Sequence, residues 1–353
     1  MSEARNPALS AWRDLVDLDR LAAWMDERGL ERGPIEEAAR PPGGTQNLLL
    51  RFRRGDRWFM LRRPPLHPRM NGSETMRREA RVLGALAGTD VPHPALIAAC
   101  PEEDVLGAAF YLMEPVEGFN ATVSLPEYHA SSPAVRREMG FALVDGIAAL
   151  GRVDHEKAGL SDLGRADNFL ERQVGRWKKQ LASYNDYEGW PGPAAIEGVD
   201  EVAAWLEAHR PGTFRPGIIH GDYHLANVLY RFDSPKLAAI VDWELTTIGD
   251  PLLDMGWILA TWPEDGRPLS GNLSVKPWDG FPTAAELVDR YASQTDRDMS
   301  HMKWYGVLAC YKLGIILEGT WARAWAGKAE MSTGEALHRQ TLDLFQRALR
   351  WIG

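Results

Sequence analysis

The residues best suited to chemistry form a polar cluster that follows a short apolar run. Gly217–Ile219 is apolar, and His220 and Asp222 follow it directly, with Asn227 five residues after Asp222. A second apolar run ends at Asp242, twenty residues after Asp222. Transfer of a phosphoryl group from a nucleotide requires an acceptor-side base, oxygen ligands for Mg²⁺ and cations for the phosphates. The two aspartates and the asparagine offer the base and the metal ligands.

Two predicted strands position this cluster. The apolar runs Gly217–His220 and Leu237–Asp242 are short and bounded by polar residues, which is typical of buried strands. Because Asp222 and Asp242 follow the ends of these strands, we expect them and Asn227 to lie within reach of one point. The surrounding sequence is amphipathic with helical spacing, which predicts long helices at about 133–151, 167–185, 198–209, 304–328 and 332–351.

The N-terminal third has a different pattern. Helices are predicted over Asp17–Arg32 and Ser73–Leu86, the second with Ser73 as its N-cap. Extended runs at Asn47–Arg53 and Arg57–Arg62 flank a turn and predict a β-hairpin, and Ala109–Pro115 predicts a further strand. We therefore expect an α+β protein with a small sheet-rich lobe that contains one central helix.

Composition limits the possible classes of function. The chain has 353 residues, is 45% hydrophobic and 25% charged, and carries a net charge of −9, which argues against nucleic acid as a partner. No apolar run approaches the ~18 residues that span a bilayer, so no membrane partner is expected. The first residues lack the apolar segment of a secretory signal, and two cysteines fit a reducing compartment. These features predict a cytoplasmic enzyme.

Arginine is concentrated in one segment of the N-terminal third. Residues 51–81 contain ten arginines and three acids, and the first lysine of the chain is Lys157. This segment is interpreted either as a solvated basic face or as a surface that meets a polyanion such as a nucleotide.

The polar motifs and several longer segments resemble the aminoglycoside phosphotransferase and choline kinase superfamily, whose fold is similar to that of protein kinases. The resemblance covers nearly the whole chain and is closest to the kinase-like domains associated with acyl-CoA dehydrogenases. It implies a bilobal protein-kinase-like fold with a nucleotide-binding lobe at 1–115 and a helical lobe at 116–353 that holds the catalytic loop and substrate site. The segments that carry the resemblance are GGTQN (43–47), WFMLRRPP (58–65), ETMRREARVLGAL (74–86), TDVPHP (89–94), FYLMEPVEGF (110–119), FLERQVGRWKKQ (169–180), GDPLLDMGW (249–257) and GIILEGTWARAWAGKA (314–329).

The resemblance implies a role for each residue of the catalytic motifs. Asp222 would be the catalytic base or the group that orients the acceptor, and Asn227 and Asp242 would hold Mg²⁺. His220 would pack the catalytic loop, and Asp254 stands where the family keeps an acid that braces this loop. The other interpretation of Asp254 is an aspartate at a helix N-terminus that the helix dipole favours.

Two neighbouring residues keep two interpretations each. Glu244 either adds to the acidic site or faces solvent, and His224 either contacts the substrate or is incidental. His220 and His224 have the spacing H-x-x-x-H but lie in a strand and loop, and no H-E-x-x-H motif is present. A zinc enzyme is therefore not expected.

The N-terminal lobe would bind the nucleotide. Gly43 and Gly44 precede the hairpin, where backbone N–H groups could close over phosphates. Kinases place a strand lysine on the phosphates and pair it with a glutamate of the next helix. Arg62 stands at that position here, with Arg63 as the alternative and Glu79 as the partner. Arginine keeps its charge and grips phosphate in a bidentate manner.

The segment between the two lobes would bind adenine. The Glu114 carbonyl and the Val116 N–H would serve the purine edge, while Pro115 has no N–H to offer. A simpler interpretation is a proline that ends a strand.

The combined expectation is an ATP- and Mg²⁺-dependent kinase of a small-molecule hydroxyl. The resemblance implies a hydroxyacyl-CoA as the acceptor and a functional association with an acyl-CoA dehydrogenase. The alternatives are an amino-alcohol or aminoglycoside acceptor, or a nucleotide-binding pseudokinase, which the arginine at position 62 would favour. A protein kinase is not expected, because no D-F-G or A-P-E segment follows Asp242.

Overall fold

The computed structural model describes residues 12, 15–41, 47–65, 71–264 and 273–353. The chain forms two compact units. The first comprises Met1–Glu117 together with Val241–Glu244, and the second comprises Gly118–Ile240 and Leu245–Gly353. The short segment around Asp242 thus belongs to the first unit, whereas the sequence placed it within 116–353. In the described part of the chain, no helix has both the length and the apolar character that a membrane crossing needs.

The first unit is built on a five-stranded antiparallel sheet. Its strand order is β1-β2-β3-β5-β4, and β2 and β3 form the predicted hairpin, in which Leu48 pairs with Arg63. Strands β1 and β4 had not been predicted, because neither alternates clearly between apolar and polar residues. The strands are Ile35–Ala39 (β1), Leu48–Arg54 (β2), Arg57–Arg63 (β3), Leu96–Cys100 (β4) and Phe110–Met113 (β5).

Helix α1 (Leu18–Glu27) packs on one face of this sheet. Asp17 caps it by accepting a hydrogen bond from the Arg20 N–H at 2.9 Å. Alternate residues of β2 and β3 point towards α1, because side chains along a strand alternate between its faces. The resulting core contains Leu21, Trp24, Met25, Leu50, Phe52, Phe59, Leu61, Phe110 and Leu112.

Helix α2 (Gly72–Leu86) packs against β3, β4 and β5. The prediction of Ser73 as its N-cap is wrong. Asn71 precedes the helix in a left-handed conformation, with φ at +74°, and makes no side-chain cap. The Ser73 hydroxyl instead accepts a hydrogen bond from the Ala109 N–H at 3.2 Å, so it ties α2 to the start of β5.

The second unit is mainly helical. Its helices are Glu127–Ala130 (α3), Pro133–Arg152 (α4), Glu171–Ala182 (α5), Val199–Ala208 (α6), Leu252–Thr261 (α7), Ala284–Ala292 (α8), Met302–Trp325 (α9) and Met331–Ile352 (α10). Helix α9 packs against α5, α6, α7 and α10. The long helices lie close to their predicted positions, whereas α7 and α8 had not been predicted.

Four short strands carry the polar cluster of the second unit. β6 (Gly217–Ile219) pairs antiparallel with β9 (Thr247–Gly249). β7 (Val228–Tyr230) pairs antiparallel with β8 (Leu237–Ile240). The strands predicted at Gly217–His220 and Leu237–Asp242 are thus present, although each is slightly shorter.

Candidate active site

The loop after β6 is held by a buried carboxylate. Asp254, in the first turn of α7, accepts hydrogen bonds from the backbone N–H groups of His220 at 2.7 Å and Gly221 at 2.9 Å. His220 is fully buried, and its Nδ1 accepts from the Asp222 N–H at 3.3 Å. Burial raises the pKa of Asp254, while His220 and the two N–H groups act in the opposite direction. These bonds fix the backbone that presents Asp222.

Gly221 is required by the shape of this loop. Its φ is +89°, which favours glycine, and a Cβ atom would lie 2.6 Å from the carbonyl oxygen of Leu245. The Gly221 carbonyl accepts a hydrogen bond from the Lys312 ammonium at 3.0 Å. A lysine of α9 thus contacts the loop that follows β6.

Lys312 lies in an environment that disfavours its charge. Its Nζ is 4.4 Å from the ring centre of Trp257 and 5.6 Å from that of Trp177. Burial lowers the pKa of Lys312 to about 8, and the negative charges of Asp222 and Asp254 oppose this shift. Sequence analysis missed Lys312, because nothing near position 312 indicates contact with a loop 91 residues away.

Both carboxylate oxygens of Asp222 have partners. Oδ2 accepts a hydrogen bond from Asn227 Nδ2 at 3.0 Å, and Oδ1 lies 3.3 Å from His224 Nε2. His224 Nδ1 accepts from the Ala226 N–H, which leaves the proton of a neutral imidazole on Nε2, facing Asp222. Burial would raise the pKa of Asp222, but His224, His220 and Lys312 lower it to about 2. Asp222 is therefore an ionised carboxylate held in one orientation.

The amide nitrogen of Asn227 donates hydrogen bonds to Asp222, and the amide oxygen is available to a ligand. The residue ends a short 3₁₀ turn that His224 caps. Its Nδ2 also donates to the Asp222 carbonyl at 2.8 Å. Within the described residues, the Asn227 side-chain oxygen accepts no hydrogen bond, so it can serve as an oxygen ligand.

The first unit contains a second charged cluster, centred on Arg62. The Arg62 guanidinium lies 2.9 Å from Glu79 Oε2 through Nε, and donates through one terminal nitrogen to Glu79 Oε1 at 3.1 Å and to Asp242 Oδ1 at 2.7 Å. Tyr111, which pairs with Arg62 across β3 and β5, donates its hydroxyl to Glu79 Oε2 at 2.6 Å. Sequence analysis did not identify Tyr111 as part of this cluster.

Burial sets the protonation of this cluster. It raises the pKa of Glu79 to about 7, although Arg62 and Tyr111 act to lower that pKa. Burial would also lower the pKa of Arg62, but Glu79, Tyr111 and Asp242 hold it above its usual value. Arg62 therefore remains a cation at any physiological pH.

The structure distinguishes Arg62 from Arg63. The two side chains leave opposite faces of β3, and Arg63 donates to the Leu15 carbonyl at 3.1 Å instead of meeting Glu79. Of the two arginines that the sequence left open, Arg62 is the one beside Glu79.

Asp242 has a backbone conformation that is uncommon for a non-glycine residue. Its φ is +66°, in the left-handed region, where aspartate is tolerated better than most residues. Carboxylate oxygens of Asp242, Glu79 and Glu244 lie within 4.8 Å of one another, and the Asp242 side chain is 39% exposed. Oxygen donors of this kind suit Mg²⁺, so the residues present fit a divalent cation. Glu244 is thus part of an acidic group.

The other predicted nucleotide contacts are described in part. The Glu114 N–H donates to the Ala95 carbonyl at 2.9 Å, and the Glu114 carboxylate pairs with Arg57 at 2.8 Å. Within the described residues, neither the Glu114 carbonyl nor the Val116 N–H has a backbone partner, so both can meet a ligand. Gly43 and Gly44 lie outside the described residues.

Comparison with known proteins identifies the family of the chain. Residues 37–302 match the model of the phosphotransferase enzyme family. Acyl-CoA dehydrogenase family member 10 of Mus musculus is 25% identical over 86% of the chain, and family member 11 of Gallus gallus is 28% identical over 87%. The chain spans only 28% and 39% of the lengths of these two relatives.

Solved structures show the same fold. A Ralstonia eutropha protein with the provisional name aminoglycoside phosphotransferase superposes with a TM-score of 0.78 and 29% identity, over 95% of this chain and 98% of that one. The GDP and kanamycin complex of an aminoglycoside 2″-phosphotransferase superposes with a TM-score of 0.63 and 14% identity, over 94% and 99%. The chain therefore belongs to the phosphotransferase enzyme family and has the kinase-like fold of the aminoglycoside phosphotransferases.

Proposed function

We propose that this protein is an ATP- and Mg²⁺-dependent kinase of a small-molecule hydroxyl, with a hydroxyacyl-CoA as its acceptor. The observation that carries the proposal is the anchored Asp222 carboxylate, held by Asn227 and His224 on a loop that Asp254 and Lys312 brace. A purely nucleotide-binding protein has no need for an ionised acceptor-side carboxylate fixed in this way.

Asp222 acts mainly by orienting the acceptor hydroxyl. A carboxylate with a pKa of about 2 is a weak base, so it does not remove the hydroxyl proton before transfer begins. In a loose transition state the attacking oxygen becomes acidic only as its bond to phosphorus forms. Asp222 accepts a hydrogen bond from the hydroxyl and takes its proton while the oxygen–phosphorus bond forms and the bond from the γ-phosphorus to the leaving ADP oxygen breaks.

The remaining residues bind the nucleotide and its metal. Asn227 and Asp242 supply oxygen ligands for Mg²⁺, which neutralises charge on the phosphates when bound. Arg62 is a phosphate ligand that Glu79 and Tyr111 hold in place. The Glu114 carbonyl and the Val116 N–H meet the adenine edge, and Gly43 and Gly44 are proposed to cover the phosphates. His220 packs beneath the loop.

The acceptor is inferred from the relatives. The curated relatives are named acyl-CoA dehydrogenases and exceed this chain in length, which supports an acyl-CoA acceptor and a functional association with such a dehydrogenase. A cytoplasmic location is part of the proposal, because two cysteines fit a reducing compartment. The alternative is an aminoglycoside, since a structural neighbour binds kanamycin.

The test is release of ADP from Mg·ATP with hydroxyacyl-CoAs, amino-alcohols and aminoglycosides as acceptors. Wild type should release ADP with a hydroxyacyl-CoA, and Asp222→Asn should lose nearly all turnover while still binding AMP-PNP. Asp233→Asn is the matched control, because Asp233 is exposed and, among the described residues, its side chain pairs with its neighbours Arg231 and Ser234. Full turnover in Asp222→Asn contradicts the proposed role. AMP-PNP binding without turnover on any acceptor supports the pseudokinase.

A further inference from the structure

A groove on the second unit is lined by arginine and lysine side chains and by no aspartate or glutamate. It has a volume of about 730 Å³, within the range of small-molecule sites, and it runs along α5 to β9. Its polar lining includes Gln173 and Thr247, and no carboxylate contributes to it. We call it the basic groove and define it by its cations, Arg165, Arg172, Arg176 and Lys179.

These cations are not neutralised by the protein. In the part of the chain that the structure describes, none of the four forms an ion pair. Arg172 donates to the carbonyls of Asn168 at 3.1 Å and Arg165 at 2.6 Å, so its contacts are with backbone oxygens. Arg176 lies beside the ring of Trp177, 5.3 Å from its centre. The positive charge of the groove therefore remains available to a ligand.

The spacing of the cations is costly for the helix. Arg172, Arg176 and Lys179 are separated by four and three residues, so they lie on one face of α5. Like charges at this spacing repel one another and destabilise a helix. An anionic ligand would remove this repulsion.

A neighbouring cavity shows the contrast. It has a volume of about 1040 Å³ and also contains arginines. There, however, Arg215 forms a bidentate ion pair with Asp296. The lining of this cavity also contains the carboxylates of Asp154, Glu156 and Asp167, so it is not purely cationic as the basic groove is.

The basic groove lies beside the catalytic loop within the same unit. Thr247, which lines the groove, pairs with Ile219, and the catalytic loop starts at the next residue. Paired strands lie about 5 Å apart and a chain extends at most ~3.6 Å per residue, so Asp222 lies within about 16 Å of Thr247 along the backbone. On the other side, Trp177 follows Arg176 and packs near Lys312, which bonds the loop at Gly221. The separation of the groove from Asp222 is therefore one that a ligand of moderate length would span.

We propose that the basic groove binds phosphate groups of the acceptor, so that the hydroxyl substrate of this kinase is a phosphate-bearing molecule. This inference rests on the proposed function and deepens it. Guanidinium groups bind phosphate oxygens through paired hydrogen bonds, and a lysine adds a mobile point charge. A polycationic acceptor such as an aminoglycoside would be repelled by the groove.

The test uses coenzyme A as a phosphate-bearing probe and pantetheine as its phosphate-free counterpart. Binding is measured calorimetrically with saturating Mg·AMP-PNP, so that the nucleotide site is filled. We compare wild type with the triple variant Arg172→Gln, Arg176→Gln, Lys179→Gln. The matched control is Lys178→Gln, since Lys178 lies on the same helix but pairs with Glu207 at 3.2 Å. Thermal unfolding confirms that each variant is folded.

We expect the triple variant to bind coenzyme A at least tenfold more weakly than wild type, with a shallower dependence on salt. Lys178→Gln should bind coenzyme A with the affinity of wild type. The triple variant should bind pantetheine with the affinity of wild type. Equal affinity of wild type and triple variant for coenzyme A overturns the proposal. Groove-dependent binding of phosphatidylserine vesicles without binding of coenzyme A also overturns it, because the groove would then be a membrane contact.

The two proposals fail in different ways. Groove-dependent binding of coenzyme A without release of ADP on any acceptor contradicts the kinase and leaves the phosphate subsite standing. Equal kcat/KM of wild type and triple variant on a phosphate-bearing hydroxyl acceptor contradicts the subsite and leaves the kinase standing.

Discussion

At the scale of single residues, the shape of the Arg62 side chain matches the positions of its partners. Its guanidinium contacts two carboxylates, Glu79 and Asp242, with different nitrogens of one planar group. A lysine ammonium is a point charge on a flexible stem and does not reproduce this arrangement. Arg62 is thus matched to its partners in shape as well as in charge.

We predict that Arg62→Lys weakens the use of ATP and that Arg62→Ala weakens it further. The loss in Arg62→Ala should be at least tenfold in kcat/KM for ATP, or about 1.4 kcal/mol of transition-state stabilisation. Steady-state kinetics measure both variants, and Arg53→Lys, in an exposed ion pair with Glu36 and Glu37, serves as the control. Circular dichroism checks folding, because Arg62→Ala leaves Glu79 buried without its cation. Wild-type kinetics in Arg62→Ala would disprove the role of Arg62.

Lys312 gives a prediction about stability and pH. Its pKa is about 8 in the folded protein and about 10.4 when unfolded, so the unfolded chain binds more protons between these values. The contribution of Lys312 to the free energy of unfolding therefore rises as the pH increases from about 8 to about 10.4. We predict that the free energy of unfolding of wild type minus that of Lys312→Met increases by on the order of 1–2 kcal/mol from pH 8 to pH 10.

Urea unfolding of both proteins at each pH measures this difference. Taking the difference removes the contributions of other groups, such as the buried tyrosines Tyr223 and Tyr230, whose pKa values are raised by burial. A difference that is constant with pH would show that the Lys312 pKa is not depressed. Lys312→Arg keeps a cation that does not titrate here and should also lack the increase when compared with Lys312→Met.

At the scale of elements, α8 begins with a reciprocal cap. The Thr283 hydroxyl accepts from the Glu286 N–H at 3.3 Å, and the Glu286 carboxylate accepts from the Thr283 N–H at 2.8 Å. This capping box satisfies two backbone donors that the helix would otherwise leave free.

We predict that Thr283→Ala lowers the free energy of unfolding by about 1 kcal/mol, as expected for the loss of an N-cap. Ser161→Ala is the control, because Ser161 is exposed and starts no helix, and it should change stability by less than about 0.5 kcal/mol. Chemical unfolding compares the two variants. Equal denaturant midpoints for Thr283→Ala and Ser161→Ala would mean that the Thr283 cap contributes nothing to the free energy of unfolding.

At the scale of the whole molecule, the helical unit depends on close approach between α7 and α9. Gly256 of α7 faces the backbone of Tyr305, and a Cβ atom there would overlap the Tyr305 carbonyl. The first turn of the same helix α7 contains Asp254, which holds the loop after β6. The packing of the unit and the position of the loop are therefore coupled.

We predict that Gly256→Ala lowers the free energy of unfolding by about 1–3 kcal/mol, because overpacking forces the helices apart. Gly175→Ala in α5 is the matched change, since a Cβ atom there would meet nothing within 4 Å. It should raise stability by about 0.5–1 kcal/mol, as alanine is the better helix former. Thermal unfolding measures both, and equal effects of the two changes would contradict the packing argument.

The sequence by itself determined what depends on neighbouring residues along the chain. The hairpin at Leu48–Arg63 and the long helices follow from apolar spacing, which reflects the periods of strand and helix. The family follows from motifs of fixed spacing such as His220, Asp222 and Asn227, because a loop of this length holds its polar groups in one arrangement.

Only the tertiary structure decided which distant residues meet. Lys312 reaches Gly221, and Tyr111 joins Arg62 and Glu79, through contacts that local periodicity does not encode. The left-handed backbone of Asp242 and the hydrogen bond that Ser73 accepts from Ala109, in place of the predicted helix cap, are likewise not encoded by local periodicity. In each case the local preference is worth about 1 kcal/mol or less, so burial and hydrogen bonding to a remote partner outweigh it.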